Sequence, residues 1–160
     1  YFGMNGVFGR WGKFGLPYRV YDADGDTITV LALGNSPEKI RFAFIDAPEK
    51  TQPHGQAAKQ ALSARVFGRQ VKVEVVEKDR YGRHVGRVWL DHVDVNLAQV
   101  QDGYAWHYAQ YAKKNQSGSD FAAYEQAQQS ARQQHLGLWA DAMPTAPWDY
   151  RRSKREEDGR

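Results

Sequence analysis

Five short β-rich runs, with one amphipathic helix after the third, restrict this chain to few folds. The first two lie between Arg19 and Leu33 and flank Asp24-Gly25, a dipeptide that favours tight hairpin turns. Beyond it Ile28, Val30 and Ala32 alternate with Thr27, Thr29 and Leu31, the period-two pattern of a strand. Gly34 to Pro37 is a turn signal, and a third strand is expected at about 38–45, ended by Pro48 and Pro53. Ala58, Leu62 and Val66 are spaced four apart, which predicts a helix over 55–67 with one apolar face. Val71, Val73 and Val75 mark a fourth strand and Val85 to Leu90 a fifth. Three strands, a helix and two strands is the order of an OB-type Greek-key barrel, an order that other α+β packings also satisfy.

Two more helices are expected downstream, at 95–102, stopped by Gly103, and at 119–134, where Phe121, Tyr124, Ala127 and Ala131 share one side. Residues 1–16, Gly-rich with scattered aromatics, read as an irregular arm. Residues 17–143 form the domain, and 144–160 a Pro/Trp and charged tail, extended from Pro144 to Pro147. With 160 residues the chain holds one domain with a real core. No apolar run approaches the roughly 18 residues of a membrane span. A net charge of +3 and a pI of about 9.1 favour polyanionic partners. The absence of cysteine excludes disulfides and Cys-ligated zinc. Tyr1 in place of an initiator Met is expected where a leader or tag has been removed.

Three polar clusters punctuate the apolar runs. Asp22, Asp24 and Asp26 superficially open an EF-hand loop, but Thr27 stands where Gly is needed and Leu33 where Glu is needed. Asp26 shares parity with Ile28 and Val30, so it is either part of a solvated hairpin turn or a carboxylate at the rim of the core that needs a partner such as a cation. In the second cluster Arg41 interrupts the apolar run Ile40 to Ile45, and a buried arginine requires an anion, structural or phosphate. Asp46 and Glu49 follow around Pro48. Strict alternation puts Arg41 and Asp46 on opposite faces unless the strand bends or ends before Asp46, and Glu49 also suits a cap on the next helix. The third cluster, Asp79-Arg80-Tyr81-Gly82-Arg83, joins the last two strands, either as an ordinary charged hairpin loop or as a ring for stacking and a grip on phosphate.

In this order, with Asn96, Gly103 and Leu138-Trp139, the clusters resemble the thermonucleases typified by staphylococcal nuclease, over roughly residues 18–139. The resemblance implies an α+β fold, a five-stranded OB barrel with three helices, and a Ca²⁺-dependent nuclease acting on DNA and RNA. It implies Ca²⁺ ligation by Asp26, Asp46 and the backbone carbonyl of Ala47, and catalytic roles for Arg41, Glu49 and Arg83. Tyr81 and Tyr111 fall at nucleotide-contacting positions, with Lys78 and Arg80 flanking more loosely. The family habit also implies a secreted or periplasmic location; a base stacked on tyrosine would favour single-stranded or frayed substrate, and a monomer is expected. Two departures stand out: Ala47 replaces a threonine, of little consequence for a carbonyl ligand, and the loop from Lys50 to Gly55 is short. The run Pro147 to Arg152 looks like a tail of bacterial relatives, with no evident job.

The alternative classes are a non-catalytic OB module for single-stranded nucleic acid and a calcium-stabilised interaction domain. His54, His84, His92, His107 and His135 show no metal-ligand spacing and suit surface or structural roles. Trp89, Trp106 and Trp139 suit packing.

Overall fold

The computed structural model of the chain describes residues 18–31 and 36–159. The arm expected at 1–16, and Ala32 and Leu33 of the second run, lie outside these residues. Strands β1 (Tyr18–Asp24) and β2 (Thr27–Leu31) form the expected hairpin, with β3 (Pro37–Phe42) antiparallel to β2. After the two-residue β4 (Ile45–Asp46) and helix α1 (Gly55–Val66), β5 (Gln70–Lys78) pairs with β1, and β6 (His84–Leu90) pairs with β5. Parallel pairing of β6 with β3, through Ile40–His84, Arg41–Val85 and Phe42–Gly86, closes a five-stranded OB barrel. Val20, Ile28, Val30, Ile40, Phe42, Val71, Val73 and Val88 fill it, and α1 adds Ala58, Leu62 and Val66 to the same core. Burying these apolar side chains is the main source of the fold's stability.

Around the barrel lie β7 (Val93–Asp94), α2 (Val95–Gln101), β8 (Trp106–His107), α3 (Ala109–Asn115), α4 (Gly118–Gln133), a 3₁₀ turn (Gly137–Ala140) and α5 (Pro147–Asp158). The described residues therefore hold five α-helices, not three. Helix α3 buries only Ala112 and leaves almost no apolar period to read. Helix α5 occupies most of the segment expected as a Pro/Trp and charged tail. Its apolar residues, Pro147, Trp148 and Tyr150, all lie in the first turn and the rest is charged or polar, so it lacks the continuous stripe by which helices are recognised. Pro147 stands in its first turn, where the missing N–H costs nothing, and Arg152–Asp149 and Lys154–Glu157 pair at i, i+3.

The third strand stops at Phe42 rather than near 45. Phe44 takes a positive φ of 71°, and Ala43 N donates to Gly86 O at 2.8 Å. Buried Asn96 holds this kink: Nδ2 donates to Ala43 O (2.9 Å) and Gly86 O (3.1 Å), while Oδ1 accepts from Val88 N (3.0 Å). The chain then resumes as β4 against β8. The kink resolves the parity conflict, because it turns Asp46 back toward Arg41.

Candidate active site

The β1–β2 turn passes through Gly25 (φ 69°) into Asp26, which lies in the turn rather than in the strand. Its carbonyl accepts from Phe42 N at 2.8 Å, Oδ1 accepts from Thr27 Oγ1 at 3.2 Å, and Oδ2 accepts from Ala47 N at 3.0 Å. Asp26 thus ties the hairpin tip to the segment carrying Asp46.

Arg41 is the hub of the kink. Its Nη1 donates to Phe42 O (2.6 Å) and Ile45 O (3.0 Å), and its Nη2 lies 3.4 Å from Asp46 Oδ1 and 3.5 Å from Asp26 Oδ2. The Asp46 side chain is only 1% exposed. Burial pushes its carboxyl up to about 6, even though Arg151 and Arg41 pull it down; the charge of Asp26 adds to the rise.

Glu49 is more open, at 42% exposure, on a loop folded tightly by its own bonds. Glu49 N donates to Gln52 Oε1, Gln52 N returns to Glu49 O, and Gly55 N donates to Gln52 O. A Cβ at Gly55 would stand 1.9 Å from the Glu49 carbonyl oxygen. Gly55→Ala should therefore displace the loop, lowering the melting temperature by several degrees and turnover by about tenfold or more. A thermal melt and a single-turnover digest check this; wild-type values in both would refute the close approach.

In the β5–β6 loop, Asp79 Oδ1 accepts from Tyr81 N and Arg83 N (both 2.9 Å), and Oδ2 accepts from Arg83 Nε at 2.7 Å. Desolvation is the largest single influence and pushes the Asp79 carboxyl up, but these bonds and the charge of Arg83 together hold it below the usual carboxylate range. Among the described residues the terminal nitrogens of Arg83 make no hydrogen bond, so they are available to a ligand.

One cleft of about 590 Å³ gathers Asp26, Arg41, Asp46, Ala47, Glu49, Arg80, Tyr81 and Arg83. Tyr81 is largely exposed, with the Arg80 guanidinium 5.1 Å from its ring centre. Tyr111 lines a separate hollow of about 160 Å³ that shares Arg41 and Arg83 with the main cleft. Its hydroxyl donates to Glu77 at 2.5 Å, and burial with this contact raises its pKa. Lys78 lines neither hollow. His107 is buried between Glu125 and Gln116, and His54 bonds Asp141. Trp106 and Trp139 pack together with centres 4.6 Å apart, and Trp89 Nε1 donates to Glu74 at 3.4 Å.

Sequence reasoning missed Arg151 on α5. Its guanidinium forks onto Asp46, Nη2 to Oδ2 at 2.6 Å and Nη1 to Oδ1 at 3.3 Å, with Glu49 Oε2 3.4 Å away. Arg155 lines the same cleft. A charged run at the end of the chain carries no local sign that it returns to the barrel.

The oxygen donors suit a hard cation. No group of three or more carboxylates and imidazoles stands ready-made among the described residues. Asp26 and Asp46 nevertheless face the same Arg41 nitrogen beside the Ala47 backbone, and an arginine already places positive charge on Asp46. A set of two carboxylates and a carbonyl, completed by water and phosphate, is of the kind that calcium or magnesium accepts.

The model of the family described as staphylococcal nuclease homologue matches residues 39–141. The chain is 41% identical over 133 residues to an uncharacterised endonuclease of Haemophilus influenzae, covering 83% of this chain and 71% of that protein. Against a micrococcal nuclease of Shigella flexneri it is 38% identical over 141 residues, covering 82% and 78% respectively. A probable staphylococcal-like nuclease of Oryza sativa subsp. japonica is 43% identical over 117 residues, which is 73% of this chain but only 33% of the rice protein. Barrel and matches define a nuclease, a phosphodiester hydrolase. The chain belongs to the staphylococcal nuclease homologue family.

Proposed function

We propose that the chain is a calcium-dependent, sugar-non-specific endonuclease that hydrolyses phosphodiester bonds in DNA and RNA to 3′-phosphate and 5′-hydroxyl ends. The observation that carries this reading is the single cleft where Asp26, Asp46, Glu49, Arg41 and Arg83 meet. A divalent cation held by Asp26, Asp46 and the Ala47 carbonyl would supply positive charge to a non-bridging phosphate oxygen. Arg41, rigidly held by two carbonyls, and Arg83, with its terminal nitrogens free for a ligand, bind the remaining phosphate oxygens and the charge that grows on them. Glu49, the most open of the three carboxylates, orients the attacking water and takes its proton. The water oxygen bonds to phosphorus in line with the departing 5′ oxygen, which leaves as a hydroxyl once protonated. No step uses a 2′-hydroxyl, so both nucleic acids are substrates. A base stacked on exposed Tyr81 favours single strands or frayed duplex.

Digestion of plasmid DNA and of RNA tests this. Calcium should support cleavage of both and a chelator should stop it, while Glu49→Gln should lose roughly 10²-fold or more. The new 3′ ends should resist polymerase extension until dephosphorylated. Binding without cleavage would instead make the domain a nucleic-acid-binding module. Cleavage indifferent to chelator would remove the cation from the mechanism, and 5′-phosphate products would reverse the direction of attack. An exported monomer, for which calcium is abundant, fits this reading. No helix among the described residues is long and apolar enough to cross a membrane.

A further inference from the structure

Helix α5 lies outside residues 39–141, yet it is docked firmly beside the cleft. Trp148 stacks on Tyr108 with ring centres 5.0 Å apart and planes within 8°, and meets Trp106 edge-on at 5.4 Å. Tyr150 Oη lies 2.6 Å from Thr51 Oγ1, and Gln52 Nε2 donates to Thr145 O just ahead of the helix. These contacts fix the backbone from which Arg151 projects. Its charge rests on Asp46 and Glu49, two of the carboxylates that the proposed chemistry requires.

Arg41 and Arg151 hold Asp46 differently. Arg41 also bonds two backbone carbonyls and is only 16% exposed, so it is part of the frame. Arg151 is 34% exposed and, among the described residues, bonds only the two carboxylates. It can therefore leave by rotating its side chain while α5 stays docked. An incoming cation and a guanidinium cannot both sit against the same face of Asp46 without strong repulsion. The space beside Arg151 is the open cleft, lined by Arg155, Lys50, Arg80 and Arg83. A second groove of about 450 Å³ continues from it past Lys50, Lys154 and Arg155. A guanidinium released there finds its preferred planar partner, a phosphate of the polynucleotide.

We propose that Arg151 has two stations: it holds Asp46 and Glu49 when no divalent cation is bound, and on cation binding it yields them and grips a substrate phosphate. The first station gives buried Asp46, which Arg41 holds only at 3.4 Å, a second and closer positive charge before the cation arrives. The second makes α5 part of the substrate-binding surface. This rests on the nuclease reading above, and the experiment separates the two.

Calcium is titrated calorimetrically, without nucleic acid, into the wild-type chain, Arg151→Gln and Asp46→Asn. Asp46→Asn should lose binding. Arg151→Gln should bind about tenfold more tightly, because its competitor is gone. At saturating calcium on a single-stranded oligonucleotide, Arg151→Gln should raise KM about tenfold and lower kcat less than threefold. Its melting temperature should stay within about 3 °C of wild type, since Arg151 itself is part-exposed and Arg41 still pairs with Asp46 when it is gone. Unchanged or weaker calcium affinity in Arg151→Gln, with binding lost in Asp46→Asn, overturns the first station. Tighter calcium binding with an unchanged KM overturns the second. If the wild-type chain and Asp46→Asn bind calcium equally, the assigned cation site itself is wrong and the proposal falls with it.

Discussion

Arg83→Ala should lower turnover on DNA by roughly 10³-fold and leave the melting temperature within about 3 °C of wild type. The asymmetry follows from how the side chain is held. Of its nitrogens only Nε is hydrogen-bonded, by Asp79, while the loop is shaped by backbone N–H groups that the mutation keeps. Removing the guanidinium therefore removes the two terminal nitrogens assigned to phosphate in the proposed chemistry, together with the Asp79 pair and the contact with the Tyr81 ring. Arg41→Ala should be equally inactive but less stable, because Arg41 also satisfies the carbonyls of Phe42 and Ile45 and sits against buried Asp46. Turnover is best read under single-turnover conditions with a saturating cation, beside a thermal melt. Wild-type-like turnover in Arg83→Ala would sink the phosphate-binding role, and a large melting shift would mean that the loop is held by more than Asp79.

Asn96→Ala is expected to damage the fold strongly, by about 2–4 kcal/mol or roughly 5–15 °C in melting temperature. The Asn96 amide is fully buried and serves three backbone groups at once. Alanine leaves Val88 N and Ala43 O buried without that partner; Gly86 O keeps Ala43 N. The damage should also reach the chemistry, because these bonds hold the kink that turns Asp46 toward Arg41. At a temperature where the variant is still folded, turnover should fall by about tenfold or more. Denaturant titration with a parallel digest checks both halves. Lost stability with full activity would show that the β4–β8 pairing suffices to hold the kink.

The barrel was legible in the sequence because half-buried strands print a period of two. The turn at Gly25 and the helix spacing of Ala58, Leu62 and Val66 punctuate it, in an order that other α+β packings share. Helices α3 and α5 were not legible. Local pattern reports which face of an element is buried, and these two fully bury only Ala112 and Pro147. The polar clusters were visible as candidates, but each had a plain structural reading of its own. Arg41 and Asp46 even carried the wrong parity, and what unites them is a positive φ at Phe44 together with a distant asparagine.

From the chain alone came the five strands, the helix between them and an inventory of charged side chains that no ordinary core requires. Residue type and spacing suffice for these because they follow from alternation and turn chemistry over a few residues. Tertiary structure decided where the charges meet. It broke the third strand, folded the Glu49 loop against Gly55, and brought Arg151 onto Asp46 across 105 residues of sequence. Contacts of that separation depend on how the packed elements stack, and a local pattern holds no record of it.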